Sequence, residues 1–252
     1  MTTVPAVRRL LALLVLLLAC GGCGNDAGRR SVTVFAAASL TEPFTELKTA
    51  LEASKTNITP TFSFAGSGAL VAQIEQGAPA DVIATADMAS MQRLVDAGLV
   101  ETPATFARNK LEILVQPGNP KGITTIADLS RTDIVFVTGD ESVPAGKYTA
   151  QMFQAAGITV SPKSKEVDVK AAVARVTSGE ADATVVYVTD VRAAGSKAQG
   201  VPIPDAQNVT ATYMIAVVQA AQNEAAARVF VDAVVRDLGQ DTLRAHGFLR
   251  AS

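Results

Sequence analysis

The sequence predicts an α/β fold, and three observations carry that expectation. Short apolar runs rich in β-branched residues, such as "VTVF" (32–35) and "DVIAT" (81–85), alternate from residue 32 onward with stretches whose apolar residues recur at helical spacing. Gly77, Gly98, Gly157 and Gly179 stand where those helical stretches should stop. The chain has 252 residues, 48% of them hydrophobic, enough to bury a core in one large domain or two compact lobes.

Strands are expected near residues 32–37, 58–64, 81–85, 111–116, 133–138, 182–187 and 212–219, with helices between them, the pattern of βα units around largely parallel sheets. After the first strand, Ser39 and Glu42 fit a capping box and Pro43 suits a first helical turn. "GSGALVAQIEQG" opens a helix near Ser67 and closes it at Gly77, and "MQRLVDAG" closes another at Gly98. "NKLEILVQPGNP" (109–120) reads as a strand ended by Pro and Gly, a crossing between two lobes. Pro144 opens the next helix in "SVPAGKYT", and Asp168 with Val169 opens another in "EVDVKAAVARV". A return crossing at "YMIAVV" makes the first lobe discontinuous. No repeat of fixed period is visible.

The first twenty residues are of another kind. Arg8 and Arg9 lead into "LLALLVLLLAC", an apolar run short for a membrane span and shaped like the core of a signal peptide. "LLAC", Leu17 to Cys20, resembles the bacterial lipobox, which implies a diacylglyceryl anchor on Cys20. Residues 1–19 are then a signal peptide and residues 20–31 a lipidated N-terminus and flexible tether of small and polar residues. Residues 32–113 form the first part of lobe I, 114–215 lobe II, and 216–252 the return of lobe I. Beyond Cys23 there is no cysteine, so no disulfide can stabilise the folded body.

Candidate chemistry gathers at helix starts. Ser39 and Ser67 each follow a strand and open a helix, where first-turn N–H groups and a hydroxyl together form an anion site. Ala36, Ala37, Ala38, Gly66 and Gly68 leave room for a guest to approach the backbone. One such serine is ordinarily just an N-cap; two on adjacent βα turns, with two further helix starts at Pro144 and Asp168, suggest four starts converging on one cleft.

At these residues the chain resembles the substrate-binding proteins of molybdate ABC transporters. The matching stretches are "VFAAASLTEPF", "FSFAGSGALVAQIEQGAPADVIATAD", "RNKLEILV", "VPAGKYTAQ", "EVDVKAAVARVTSGEADATVVYVTD" and "HGFL", spanning residues 32–250. The resemblance implies a type II periplasmic-binding-protein fold, two α/β lobes joined by crossing strands with the ligand cleft between them. It implies that Ser39 and Ser67 offer hydroxyls and N–H groups, Ala145 and Val169 N–H groups, and Tyr187 its phenol, to molybdate or tungstate. It also implies delivery to an ABC permease with a cytoplasmic ATPase, from a lipid-anchored, extracytoplasmic position on the cell membrane, with no cofactor. A monomer is expected. A tetrahedral dianion accepts hydrogen bonds and donates none, so donors alone can hold it and no arginine clamp is required. Lys147 and Lys170 read as solvent-facing residues of first helical turns and stay outside the expected site.

Other classes fare worse. A receptor for sulfate on the same fold is the nearest alternative, since sulfate too is proton-free. A serine hydrolase would use Ser67, but the G-x-S-x-G elbow is missing and the single histidine, His246, falls at a helix end. One histidine and two N-terminal cysteines cannot build a transition-metal site of usual spacing, so molybdenum is expected only as its oxyanion. Asp81, Asp87 and Asp190 read as turn and cap residues. There is no G-x-x-x-x-G-K-[ST] loop, and a net charge of −2 gives no reason to expect nucleic acid.

Overall fold

The computed structural model describes residues 28–54 and 56–251; the expected signal segment, Cys20, Cys23 and the tether up to residue 27 lie outside the described residues. Among the described residues nine strands and eight α-helices follow one another, with three short 3-10 turns. The chain begins β1 (Arg30–Ala37), α1 (Thr41–Ala53), β2 (Ile58–Ala65), α2 (Ser67–Glu75), β3 (Val82–Thr85) and α3 (Met88–Asp96). The long strand β4 (Ala104–Val115) leads to β5 (Val137–Gly139), α4 (Pro144–Ala156), β6 (Ser164–Glu166), α5 (Val169–Thr177), β7 (Ala183–Tyr187), α6 (Val188–Ala194) and β8 (Gln199–Pro202). β9 (Thr210–Val217) then returns to the first half, which α7 (Glu224–Val235) and α8 (Asp237–Ala245) complete.

The main sheet runs β2-β1-β3-β9-β4-β7, with β8 also paired to β4, and β5 and β6 form a separate parallel pair. The sheets are less parallel than the βα rhythm predicts. β1 is parallel to β2 and β3, but β9 is antiparallel to both β3 and β4, and β4 is antiparallel to β7 and β8. The reason lies in the two crossing strands. β4 pairs with β9 along Ala104–Lys110 and with β7 along Leu111–Val115, so one strand serves two halves and runs against its neighbours in each.

β1 and β3 show why the elements form where they do. Side chains alternate across a strand: Val34 and Ala36 pack with Phe44, Leu47 and Phe230, whereas Phe35 and Ile83 face Leu70, Ile74, Met91 and Leu94. Helices thus cover both faces, and strands buried on both sides are near-continuously apolar. Gly157 caps α4 at φ +66°, a left-handed turn that costs glycine little. Gly77, Gly98 and Gly179 likewise follow α2, α3 and α5 with positive φ.

Four strands depart from expectation. β4 starts at Ala104, well before residue 111, because "ATFARN" continues the pairing with β9. β5 is shorter than expected: Val135 is exposed and Phe136 makes only a single bridge to Ala183. β6 and β8, "SKE" and "QGVP", have no apolar run to announce them.

Phe44 is fully buried and touches Phe62 of β2, Phe106 of β4 and Phe230 of α7, tying α1 to three other elements. Phe44→Ala should therefore cost about 3–5 kcal/mol of unfolding free energy by chemical denaturation, a cavity loss that no neighbouring side chain can refill.

Candidate functional site

The five sequence candidates, Ser39, Ser67, Ala145, Val169 and Tyr187, all line one small cavity, with about 10 Å³ of space for the centre of a water-sized sphere. Its other walls are small or apolar, Ala37, Ala38, Ala65, Gly66, Ala86, Val143 and Pro144, and no charged side chain lines it among the described residues. The cavity lies between the halves: Ser39 and Ser67 come from the β1 and β2 exits, Ala145, Val169 and Tyr187 from α4, α5 and the end of β7.

Ser67 is the first residue of α2, Ala145 the second of α4 and Val169 the first of α5. First-turn N–H groups have no carbonyl one turn earlier to bond, so these three are available to a guest. Their neighbours are committed: Ala69 and Leu70 donate to the Gly66 carbonyl, Lys147 to that of Val143, and Ala171 to the Asp168 carboxylate. Asp168 is thus the N-cap of α5, as the sequence suggests.

Ser67 opens α2 as expected, but neither serine is an N-cap, the role the capping box gave Ser39. Ser39 sits inside a 3-10 turn, Ala38–Leu40, and α1 begins only at Thr41, so the Ser39–Glu42 capping box does not form. Its Oγ lies 2.9 Å from the Tyr213 phenolic oxygen. For α2 the N-cap is Gly66, and Ser67 Oγ accepts a hydrogen bond from the Ala86 N–H at 3.1 Å. Both hydroxyls are buried and tied to elements other than their own helices.

Tyr187 is buried, with no hydrogen-bond partner for its phenolic oxygen among the described residues. Its ring meets Tyr213 edge-on, centroids 5.8 Å apart. Burial pushes both phenols well above their usual range, so each keeps its proton and stays a potential donor.

Charge lies outside the cavity. Lys170, expected to face solvent, instead reaches across between the halves to Glu42 of α1 at 2.7 Å and also contacts Asp190 of α6 at 3.2 Å. Asp190 is itself buried and accepts from the Tyr187 N–H at 3.1 Å, holding the α5 and α6 starts together. Lys147 of α4 sits 4.0 Å from Asp87, the N-cap of α3, a second opposite-charge approach between the halves. Sequence spacing could not reveal these partners, which lie far along the chain. Asp81 does act as a turn residue, accepting the Thr33 and Asn223 N–H groups. His246 caps α8 and meets Glu46 at 2.8 Å; it does not line the cavity.

Burial raises the Asp190 carboxyl, and Lys170 opposes that rise. A raised carboxyl pKa favours the protonated form in the folded state, so its contribution to stability is lost as pH rises through the folded value. Lys170→Met removes the opposing charge. Because Lys170 is partly exposed, its loss should destabilise the protein by about 1–3 kcal/mol at pH 7, below the full cost of breaking a buried pair. That deficit should shrink as pH falls and Asp190 takes up a proton, in paired melting curves of the two proteins.

Residues 32–249 match the profile of the family described as bacterial extracellular solute-binding protein. The molybdate-binding protein ModA of Mycobacterium tuberculosis is 39% identical over 242 residues, covering 93% of each chain, and that of Escherichia coli is 31% identical over 90% and 91% of the two chains. Among solved structures, the periplasmic molybdate-binding protein of Azotobacter vinelandii superposes with a TM-score of 0.73 at 20% identity, over 86% of this chain and 98% of that one. The sulfate-binding protein SubI of M. tuberculosis superposes with a TM-score of 0.78, also at 20% identity, over 89% and 88%. These two structural likenesses speak for the fold. By the profile and by the sequence identities, the chain belongs to the bacterial extracellular solute-binding proteins, within the family of molybdate-binding proteins.

Proposed function

We propose that the protein captures molybdate, and tungstate with it, and delivers it to an ABC permease. The observation that carries this reading is a small cavity lined by two hydroxyls, a phenol and helix-start N–H groups, with no charged side chain among its walls in the described residues. A proton-free dianion needs only donors, and each hydroxyl and first-turn amide of this lining can donate. Charge-assisted hydrogen bonds are worth about 1.5–3 kcal/mol each, so a handful can offset desolvation and still leave sub-micromolar binding.

In this reading Ser39, Ser67 and Tyr187 donate through oxygen, and Ala145 and Val169 through nitrogen. Residues 32–113 and 216–252 act as one lobe and 114–215 as the other, closing on the guest along β4 and β9. Phosphate near neutral pH keeps a proton that needs an acceptor, and a wall without a carboxylate leaves that proton stranded. Sulfate passes the same test, so its exclusion is assigned to the size of the cavity. The protein is a receptor and no enzyme: Ser67 Oγ is occupied by the Ala86 N–H and the sole histidine is engaged elsewhere. An extracytoplasmic lipoprotein anchored through Cys20, monomeric, with the tether holding the binding body off the membrane, completes the proposal.

Ser39→Ala and Ser67→Ala should each weaken molybdate binding more than tenfold, measured by calorimetry, with the apo fold retained. Tyr187→Phe should weaken it less, because the other donors remain. Melting temperature followed against molybdate, tungstate, sulfate and phosphate should rise steeply for the first two. Equal rises with sulfate would refute the assignment.

A further inference from the structure

Tyr213 lies behind the cavity, fully buried on β9, and its hydroxyl meets Ser39 Oγ at 2.9 Å. We propose that Tyr213 turns the proton of the Ser39 hydroxyl into the cavity, and that Tyr213 is thereby a positioning residue that favours oxyanions which only accept over those that must also donate. The inference rests on the oxyanion reading of the site.

The argument is one of proton direction. A phenol and a serine hydroxyl each have one proton, and a single hydrogen bond between them uses one of the two. If Ser39 donates, the Tyr213 proton must find another acceptor in a fully buried place. Around it are the rings of Phe106, Tyr187 and Phe248, all edge-on. The Asn109 side chain beside it acts on the phenol as a donor, its oxygen accepts the Lys110 N–H at 3.0 Å, and no hydrogen bond from the Tyr213 hydroxyl to that oxygen is among the described ones. Among the described hydrogen bonds, Ser39 is the partner left for Tyr213. The arrangement that strands no proton has Tyr213 donating to Ser39 and Ser39 donating into the cavity.

Ser67 shows the same device with no ambiguity of direction. Its Oγ accepts from the Ala86 N–H, a group that can only donate, so the Ser67 proton is free for the cavity. Both serine oxygens therefore have one of their two lone pairs occupied from behind, and each proton is turned toward the guest. An oxyanion that only accepts is favoured by this arrangement over one that must also donate. A chain of hydrogen bonds pointing one way also strengthens its last member.

The test is a double-mutant cycle of wild type, Ser39→Ala, Tyr213→Phe and the double variant, titrated calorimetrically with sodium molybdate and with sodium phosphate at pH 7. Tyr213→Phe should weaken molybdate about fivefold and leave phosphate unchanged or up to about twofold tighter, narrowing the ratio between them about five- to tenfold. In the Ser39→Ala background the same change should have no further effect on either ion. Additive losses, or equal losses for both ions, overturn the proposal, because a merely structural tyrosine would act on both alike and independently of Ser39. If Tyr213→Phe does not fold, 3,5-difluorotyrosine placed at 213 keeps the shape and donates more strongly. Molybdate should then bind about two- to threefold tighter, and unchanged affinity overturns the relay. Wild type that takes up no molybdate would bring down the oxyanion reading itself, and the relay with it.

Discussion

A neutral cavity can hold a charged guest only if the dipoles around it are unable to turn away, and most of this structure serves that condition. The first-turn N–H groups of α2, α4 and α5 are fixed by the helices that carry them, and the helices are fixed by packing against sheets covered on both faces. The requirement for small residues follows directly. Ala37, Ala38, Ala65 and Gly66 line the cavity because any larger side chain would stand between the guest and the backbone. In the proposed site the alanines that end and follow β1 leave space for the guest, and the Ser39 hydroxyl beside them meets a phenol from β9.

Ionic groups are placed on a different principle. They stay out of the cavity and gather where the two halves meet: Lys170 with Glu42 and Asp190, and Lys147 beside Asp87. Each lysine is the residue immediately after or within two positions of a cavity-lining residue, so the same helix turn offers its amide inward and its side chain across the boundary. A cation inside would bind anions indiscriminately, whereas a cation at the boundary favours the closed arrangement and leaves selection to the geometry of neutral donors.

Local signals made much of this legible from sequence. The strands with β-branched runs, the glycine stops and the helix starts at Pro144 and Asp168 are written in neighbouring residues, and all five candidate positions reach one cavity. What sequence reasoning missed depends on distance along the chain. Ser39 looked like an N-cap because "SLTE" has the right spacing, yet a 3-10 turn delays α1 and Glu42 is taken by Lys170. Tyr213 drew no attention in "TATYMIAV", where it reads as one more buried strand residue; its contact with Ser39 spans 174 positions. The antiparallel pairings of β4 and β9 were hidden for the same reason, since a strand's sequence does not say from which end it enters a sheet.

The glycines flanking Ser67 carry a last consequence. A Cβ at Gly66 would lie 2.9 Å from the Val167 carbonyl oxygen, and one at Gly68 would lie 2.5 Å from that of Ser142, so here main chain from one half rests on main chain from the other. Backbone has no rotamers with which to yield. If the halves close on a guest as proposed, the seam is a hard stop: contact between main chains, not the reach of any side chain, sets how near the two sets of donors can come.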